Sequence, residues 1–78
     1  MKCSKLCIGN LDYSVTQREL EILFSQFGSI RSIRIAGGIG SGFVEMMSPL
    51  DAKNARQSLN GIRLKGKVIS VDECRTVH

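Results

Sequence analysis

Apolar and polar positions along this chain follow two rhythms. In residues 5–11, KLCIGNL, Leu6 and Ile8 fall on one side and Lys5, Cys7 and Gly9 on the other, the period of two of a half-buried strand. In DYSVTQRELEILFSQFG the period lengthens. Leu20, Leu23, Phe24 and Phe27 recur at spacings of three and four, which gathers them on one helical face. Thr16 with Glu19 three residues on is a capping box, the signature of a helix start, and Gly28 stands where a helix C-cap is expected. Alternation returns in residues 29–36, SIRSIRIA, with Ile33 and Ile35 inward and Ser32, Arg34 and Ala36 outward. Residues 43–47, FVEMM, read as a third strand.

Ser48-Pro49-Leu50-Asp51 predicts a second helix start, with Ser48 as N-cap, Pro49 at the first helical position and Asp51 in the first turn. Ala52, Ala55 and Leu59 give this helix a narrow inner face that lets it lie close to whatever it covers. Asn60-Gly61 ends it, and a hairpin through Lys65-Gly66 leads into a last strand over residues 67–72, where Ile69 and Val71 share a face. The order is strand, helix, strand, strand, helix, strand. Two helices with one apolar face each can cover only one side of a four-stranded sheet. The other face is left to solvent, and function is expected there.

Length and charge narrow the field. Seventy-eight residues make a single domain, 1–78, with little room for a deep catalytic cleft. Eleven Lys and Arg against seven Asp and Glu give a formal charge of +4, a bias towards nucleic acid or another anionic partner. No apolar run approaches the ~20 residues of a membrane helix, so a cytoplasmic chain is expected, or a nuclear one in a eukaryote, with no membrane partner. Cys3, Cys7 and Cys74 are odd in number and form no CxxC pair, which predicts free thiols in a reducing compartment. With one histidine, His78, the chain offers no metal-ligand spacing, no paired acid and base and no activated nucleophile; neither cofactor nor enzyme activity is expected.

The glycine-rich stretch AGGIGSGFVEMM, residues 36–47, tests for phosphate binding. Gly38 and Gly40 supply the start of a dinucleotide fingerprint, but Phe43 stands where the third glycine belongs, and a strand follows rather than a helix. Gly37 to Gly42 has P-loop spacing, with Phe43 in place of the required lysine. Flanking apolar strands exclude a linker. The remaining reading is a reversal at residues 36–38 between the second and third strands.

Two segments in this order resemble the signature of the RNA recognition motif family. Leu6-Cys7-Ile8-Gly9-Asn10-Leu11 matches its six-residue segment, and Ile39-Gly40-Ser41-Gly42-Phe43-Val44-Glu45-Met46 its eight-residue segment. LDYSVTQREL, LFSQFGSI and SLNGIRLKGKVISV extend the resemblance over nearly the whole chain. It implies an α+β fold: a ferredoxin-like β-α-β-β-α-β sandwich, with a four-stranded antiparallel sheet and two helices on one face. It also implies single-stranded RNA on the open face. The family's stacking aromatics fall at Cys7, Ser41 and Phe43, so one of three is present. Ile39 replaces a usual Arg or Lys, and Arg56 a usual aliphatic residue; its stem is expected to cover the edge of the core with the head in water.

By strand alternation the open face should carry Lys5, Cys7, Arg34, Ser41, Phe43 and Glu45, with Arg75 just after the last strand. Phe43 is expected to stack a base and Ser41 to hydrogen-bond. Lys5 and Arg34 read equally as contacts to phosphate or base edges and as solvated charge. Arg75 could close over a bound strand, opposed by Asp72 and Glu73, while Tyr13 is expected to pack rather than stack. Because the topology makes the first and last strands antiparallel neighbours, a Cys3–Cys74 pair is the alternative to free thiols. The leading expectation is a monomeric single-stranded RNA-binding module, single-stranded DNA ranking after RNA. The alternative is a protein–protein interaction domain with little RNA binding. The family's peptide-binding branch carries an Arg-x-Phe loop after the second helix, where this chain has Ile62-Arg63-Leu64.

Overall fold

A computed structural model describes residues 4–36 and 40–74. Its elements follow in the order β1 (Lys5–Gly9), α1 (Gln17–Ser25), β2 (Ile30–Ala36), β3 (Ser41–Met46), α2 (Pro49–Leu59), β4 (Arg63–Leu64), β5 (Lys67–Val68) and β6 (Ser70–Glu73). Four strands form an antiparallel sheet in the order β2-β3-β1-β6, and β4 and β5 make a separate two-stranded ribbon. This is the α+β, ferredoxin-like sandwich that the periodicity and the resemblance imply.

The core forms where the period-two and period-3.6 faces meet. Leu6 and Ile8 of β1, Val44 and Met46 of β3 and Val71 of β6 point to the helix side, all buried, against Leu20 and Phe24 of α1 and Ala52, Ala55 and Leu59 of α2. Each large apolar side chain buried this way contributes about 1.5–3 kcal/mol relative to exposure. The small residues of α2 seat that helix close to the sheet, as their spacing predicts. Ile33 and Ile35 pack against the same core from β2, half-buried because that strand is an edge.

Helix α1 starts as its sequence dictates. The Glu19 backbone N–H donates to the Thr16 hydroxyl oxygen at 3.2 Å, and the Thr16 N–H donates to the Glu19 carboxylate at 2.9 Å. That second bond holds the Glu19 carboxyl below its ordinary pKa, assisted by the Lys65 ammonium at 3.3 Å. At the other end the helix closes at Gln26, two residues before the expected Gly28, with its last turn tightened by Phe27 N–H donating to the Phe24 carbonyl. Helix α2 has Ser48 at its N-cap and Pro49 at its first position, but Ser48 makes no side-chain cap bond.

Four further expectations change. The last strand is not continuous over residues 67–72. Lys67 and Val68 pair with Leu64 and Arg63, whereas Ser70–Glu73 joins β1. Buried Ile69 divides them, its N–H donating to the Ile62 carbonyl and its own carbonyl accepting from Gly61 N–H. Tyr13 does not pack; it is 87% exposed in the turn before α1. Arg56 is half-buried, and its Nε lies buried with no hydrogen-bond partner rather than beyond the core edge in water. The cysteines are not all free. Cys7 and Cys74 form a disulfide, with Cα atoms 5.1 Å apart. Antiparallel register explains it: Cys7 faces Asp72, and Cys74, two residues on, shares that face of β6 and donates its N–H to the Lys5 carbonyl at 2.9 Å. The pair is therefore Cys7–Cys74; Cys3 lies outside the described residues, as does the turn at Gly37 and Gly38.

Candidate nucleic-acid interface

The face of the sheet away from the helices is built from the alternate residues of each strand. Because β1 and β3 are both central, their outward side chains stand in the middle of this face. The registers align them in rows across the sheet. Arg34 of β2 faces Phe43 of β3, Phe43 faces Cys7 of β1, and Cys7 faces Asp72 of β6. One row thus reads basic, aromatic, cystine, acidic. The next row pairs Ser32 with Glu45 and Glu45 with Lys5, where the Cys74 main chain also bonds.

Phe43 is the centre of the first row. A groove of about 470 Å³ opens beside it, lined also by Cys7, Arg34, Ile35, Ala36, Ser41 and Gly42. The Lys5 ammonium stands over the ring, 5.2 Å from its centroid, at the distance of a cation–π contact. Gly42 lines the groove with its backbone, and it is glycine for a steric reason. A Cβ there would stand 2.6 Å from the Arg34 carbonyl oxygen, so only glycine lets β2 and β3 approach as they do. Gly40 joins the start of β3 to the end of the first signature segment. Its φ of +67° suits glycine, and its carbonyl accepts the Leu11 N–H at 2.8 Å.

The structure brings Cys7, Arg34, Ser41 and Phe43 together around the groove, with Lys5 over the aromatic ring. Glu45 stands in the neighbouring row, opposite Lys5 and 3.5 Å from the Ser32 hydroxyl. Arg75 and Ile39 lie outside the described residues. Sequence reasoning missed two kinds of participant. Ile35, Ala36 and Gly42 line the groove although they carry no recognition chemistry of their own; alternation placed Ala36 on this face, whereas Ile35 was read as inward. Cys74 reaches the face through its bond to Cys7. Its even spacing from Asp72 was the available signal, but the register needed to use it is not written in the sequence. Among the described residues no group of three or more His, Cys, Asp and Glu could hold a metal ion, and no helix is long and apolar enough to cross a membrane.

Comparison with known proteins agrees with this geometry. The family model for the RNA recognition motif matches residues 6–70. A Nostoc sp. protein named as an RNA-binding protein, RbpE, is 39% identical over 74 residues, covering 87% of this chain and 75% of that protein. The polyadenylate-binding protein RBP47C′ of Arabidopsis thaliana is 44% identical over 54 residues, which are 69% of this chain and 12% of that much longer protein. Among solved structures, an Sxl-lethal protein/RNA complex superposes with a TM-score of 0.91 at 30% identity, covering 97% of this chain and 49% of that one. The chain belongs to the RNA recognition motif family.

Proposed function

We propose that this domain binds single-stranded RNA on the open sheet face, with Phe43 as its aromatic platform. The observation that carries the reading is the row in which Phe43 stands between Arg34 and Cys7 beside an open groove. An outward aromatic on a central strand offers a base a face to stack on, and such a stack is worth about 1–3 kcal/mol. Arg34 stands beside the stacked base and supplies charge to a phosphate or donors to a base edge. Lys5 covers the ring in the free protein, so an incoming base displaces its ammonium towards the backbone of the same strand. Ser41 adds a hydroxyl at the groove wall.

Without aromatics at positions 7 and 41, affinity leans on charge, so binding weakens as salt rises. The nucleic acid named for the Sxl-lethal complex and the naming of the Nostoc relative support RNA over DNA. The groups at the groove are suited to holding a strand, not to transferring a proton or bond, and the reading involves no catalysis. The test is an NMR titration with a pool of randomised short single-stranded RNA. Amide shifts should gather on Arg34, Ser41 and Phe43, and Phe43→Ala should weaken binding about 5- to 150-fold. Absence of shifts on this face at low salt would sink the reading. Co-purification of one protein, indifferent to nuclease and salt, would instead favour a protein-interaction domain.

A further inference from the structure

The first row of the open face contains one group that RNA stacking does not use. The Cys7–Cys74 disulfide joins the central strand to the edge strand, and Cys7 is both exposed and part of the groove wall beside Phe43. A small thiol in solution can therefore reach a Cys7 sulfur that borders the base platform. Few places on the fold would couple sulfur chemistry so directly to the face.

We propose that Cys7–Cys74 is a thiol–disulfide exchange site that sets the RNA affinity of this face, the oxidised form binding more weakly; this rests on the RNA-binding reading above. In the oxidised form the cystine bridges β1 and β6 at the surface, where a nucleotide next to the one on Phe43 would lie. It also fixes the end of β6, and with it the exposed carboxylate of Asp72, along the rim of the track. A carboxylate fixed there repels the phosphates that follow the stacked base. Reduction removes the bridge, lets both thiols turn about their own side-chain bonds and releases the covalent hold on the edge strand. Hydrogen bonds such as Cys74 N–H to the Lys5 carbonyl then keep the strand in place with more freedom to yield.

The step balances as a thiol exchange. The thiolate of a low-molecular-weight thiol attacks the Cys7 sulfur, the Cys7–Cys74 bond breaks, and Cys74 leaves as a thiolate that takes a proton from water. A second thiolate attacks the added sulfur of the mixed disulfide, releasing the small-molecule disulfide and a Cys7 thiolate that is protonated in turn. The protein gains two electrons and two protons; two molecules of thiol are oxidised to one disulfide.

The test compares oxidised protein with protein reduced by a dithiol, the two forms distinguished by the mass of two hydrogen atoms. Anisotropy of a labelled randomised short RNA reads affinity, and amide spectra of both forms read the fold. The reduced form should bind tighter by up to about threefold, the ceiling set by losing one unit charge several ångströms away in water. Cys74→Ser should bind like the reduced form and ignore the reductant. A mass that shows no disulfide under oxidant, or equal or weaker binding after reduction, overturns the exchange site while leaving the RNA reading standing. Loss of amide dispersion on reduction also overturns it, since the bond would then be a structural staple. No RNA binding by either form would remove the RNA reading and this inference together.

Discussion

Substituting Cys74 with serine opens a cross-link between residues 67 apart, and the loss can be worked from that separation. In the chain-entropy account, closing a loop of that length removes about 15 cal/mol/K from the unfolded chain, or about 4 kcal/mol at 25 °C. The native state loses little besides. Cys7 is exposed, the buried apolar side chains are untouched, and β6 keeps its ladder with β1. A domain of this size has about 4–12 kcal/mol of stability in all, so the variant should fold at 25 °C with a much thinner margin. At about 4–8 °C per kcal/mol for a domain of this length, the thermal midpoint should fall by roughly 15–30 °C. Thermal unfolding followed by circular dichroism, on oxidised wild type and Cys74→Ser side by side, measures it. Wild type treated with a dithiol should move to the variant's midpoint. If mass confirms the bond and the midpoints still lie within about 4 °C, the cross-link does not constrain the unfolded chain and the loop argument is wrong.

Phe24, fully buried between α1 and the sheet, should lose about 3–5 kcal/mol on substitution by alanine, read by urea denaturation. Gly42→Ala forces β2 away from β3, because its Cβ would meet the Arg34 carbonyl; about 1–3 kcal/mol of stability should go, and groove resonances should shift even without RNA. Thr16→Ala removes the α1 cap bond and should cost about 1 kcal/mol in the same assay. Glu19 gives a pH signature. Its carboxyl is held below its ordinary 4.5 chiefly by the Thr16 N–H, so its contribution is present above 4.5 and is lost as pH falls through the lowered value. Asp12, lowered from 3.8 chiefly by the Ser14 hydroxyl, adds to the same acid limb, and Glu19→Gln should flatten the limb's upper part in stability measured against pH.

The sheet and helices were legible because each is announced by local periodicity. Leu6 and Ile8, Leu20 and Phe24, Ala52 and Ala55 declare their faces without knowledge of any partner. The open face was legible too, since Lys5, Cys7, Arg34 and Phe43 alternate with residues that had to be inward. What escaped depends on register, which is a relation between distant segments. Pairing Cys7 with Asp72 brings Cys74 within bonding reach, and no local pattern states that pairing. The broken last strand escaped for a related reason. Ile69 and Val71 fit one continuous alternation, yet the hydrogen bonds of Ile69 go to Ile62 and Gly61. Tyr13 was misjudged because an aromatic beside a helix start usually finds a surface to lie on. Here the Asp12–Ser14 turn carries it outward.

The separation of β5 from β6 has a consequence for how this sequence could vary. The register of β6 is set at Ile69, which bonds back to Gly61 and Ile62, and at Val71, whose N–H donates to the Asn60 side-chain oxygen at 3.0 Å. Those anchors lie outside the hairpin tip at Lys65 and Gly66, where both residues take positive φ. The ribbon is therefore a side spur, tied to α1 by the Lys65–Glu19 ion pair and to Asn10 through the Val68 carbonyl, rather than a spacer that meters the chain into the sheet. Residues added at its tip would lengthen the spur without sliding β6 along β1, and the cysteine just after β6 would still arrive beside Cys7.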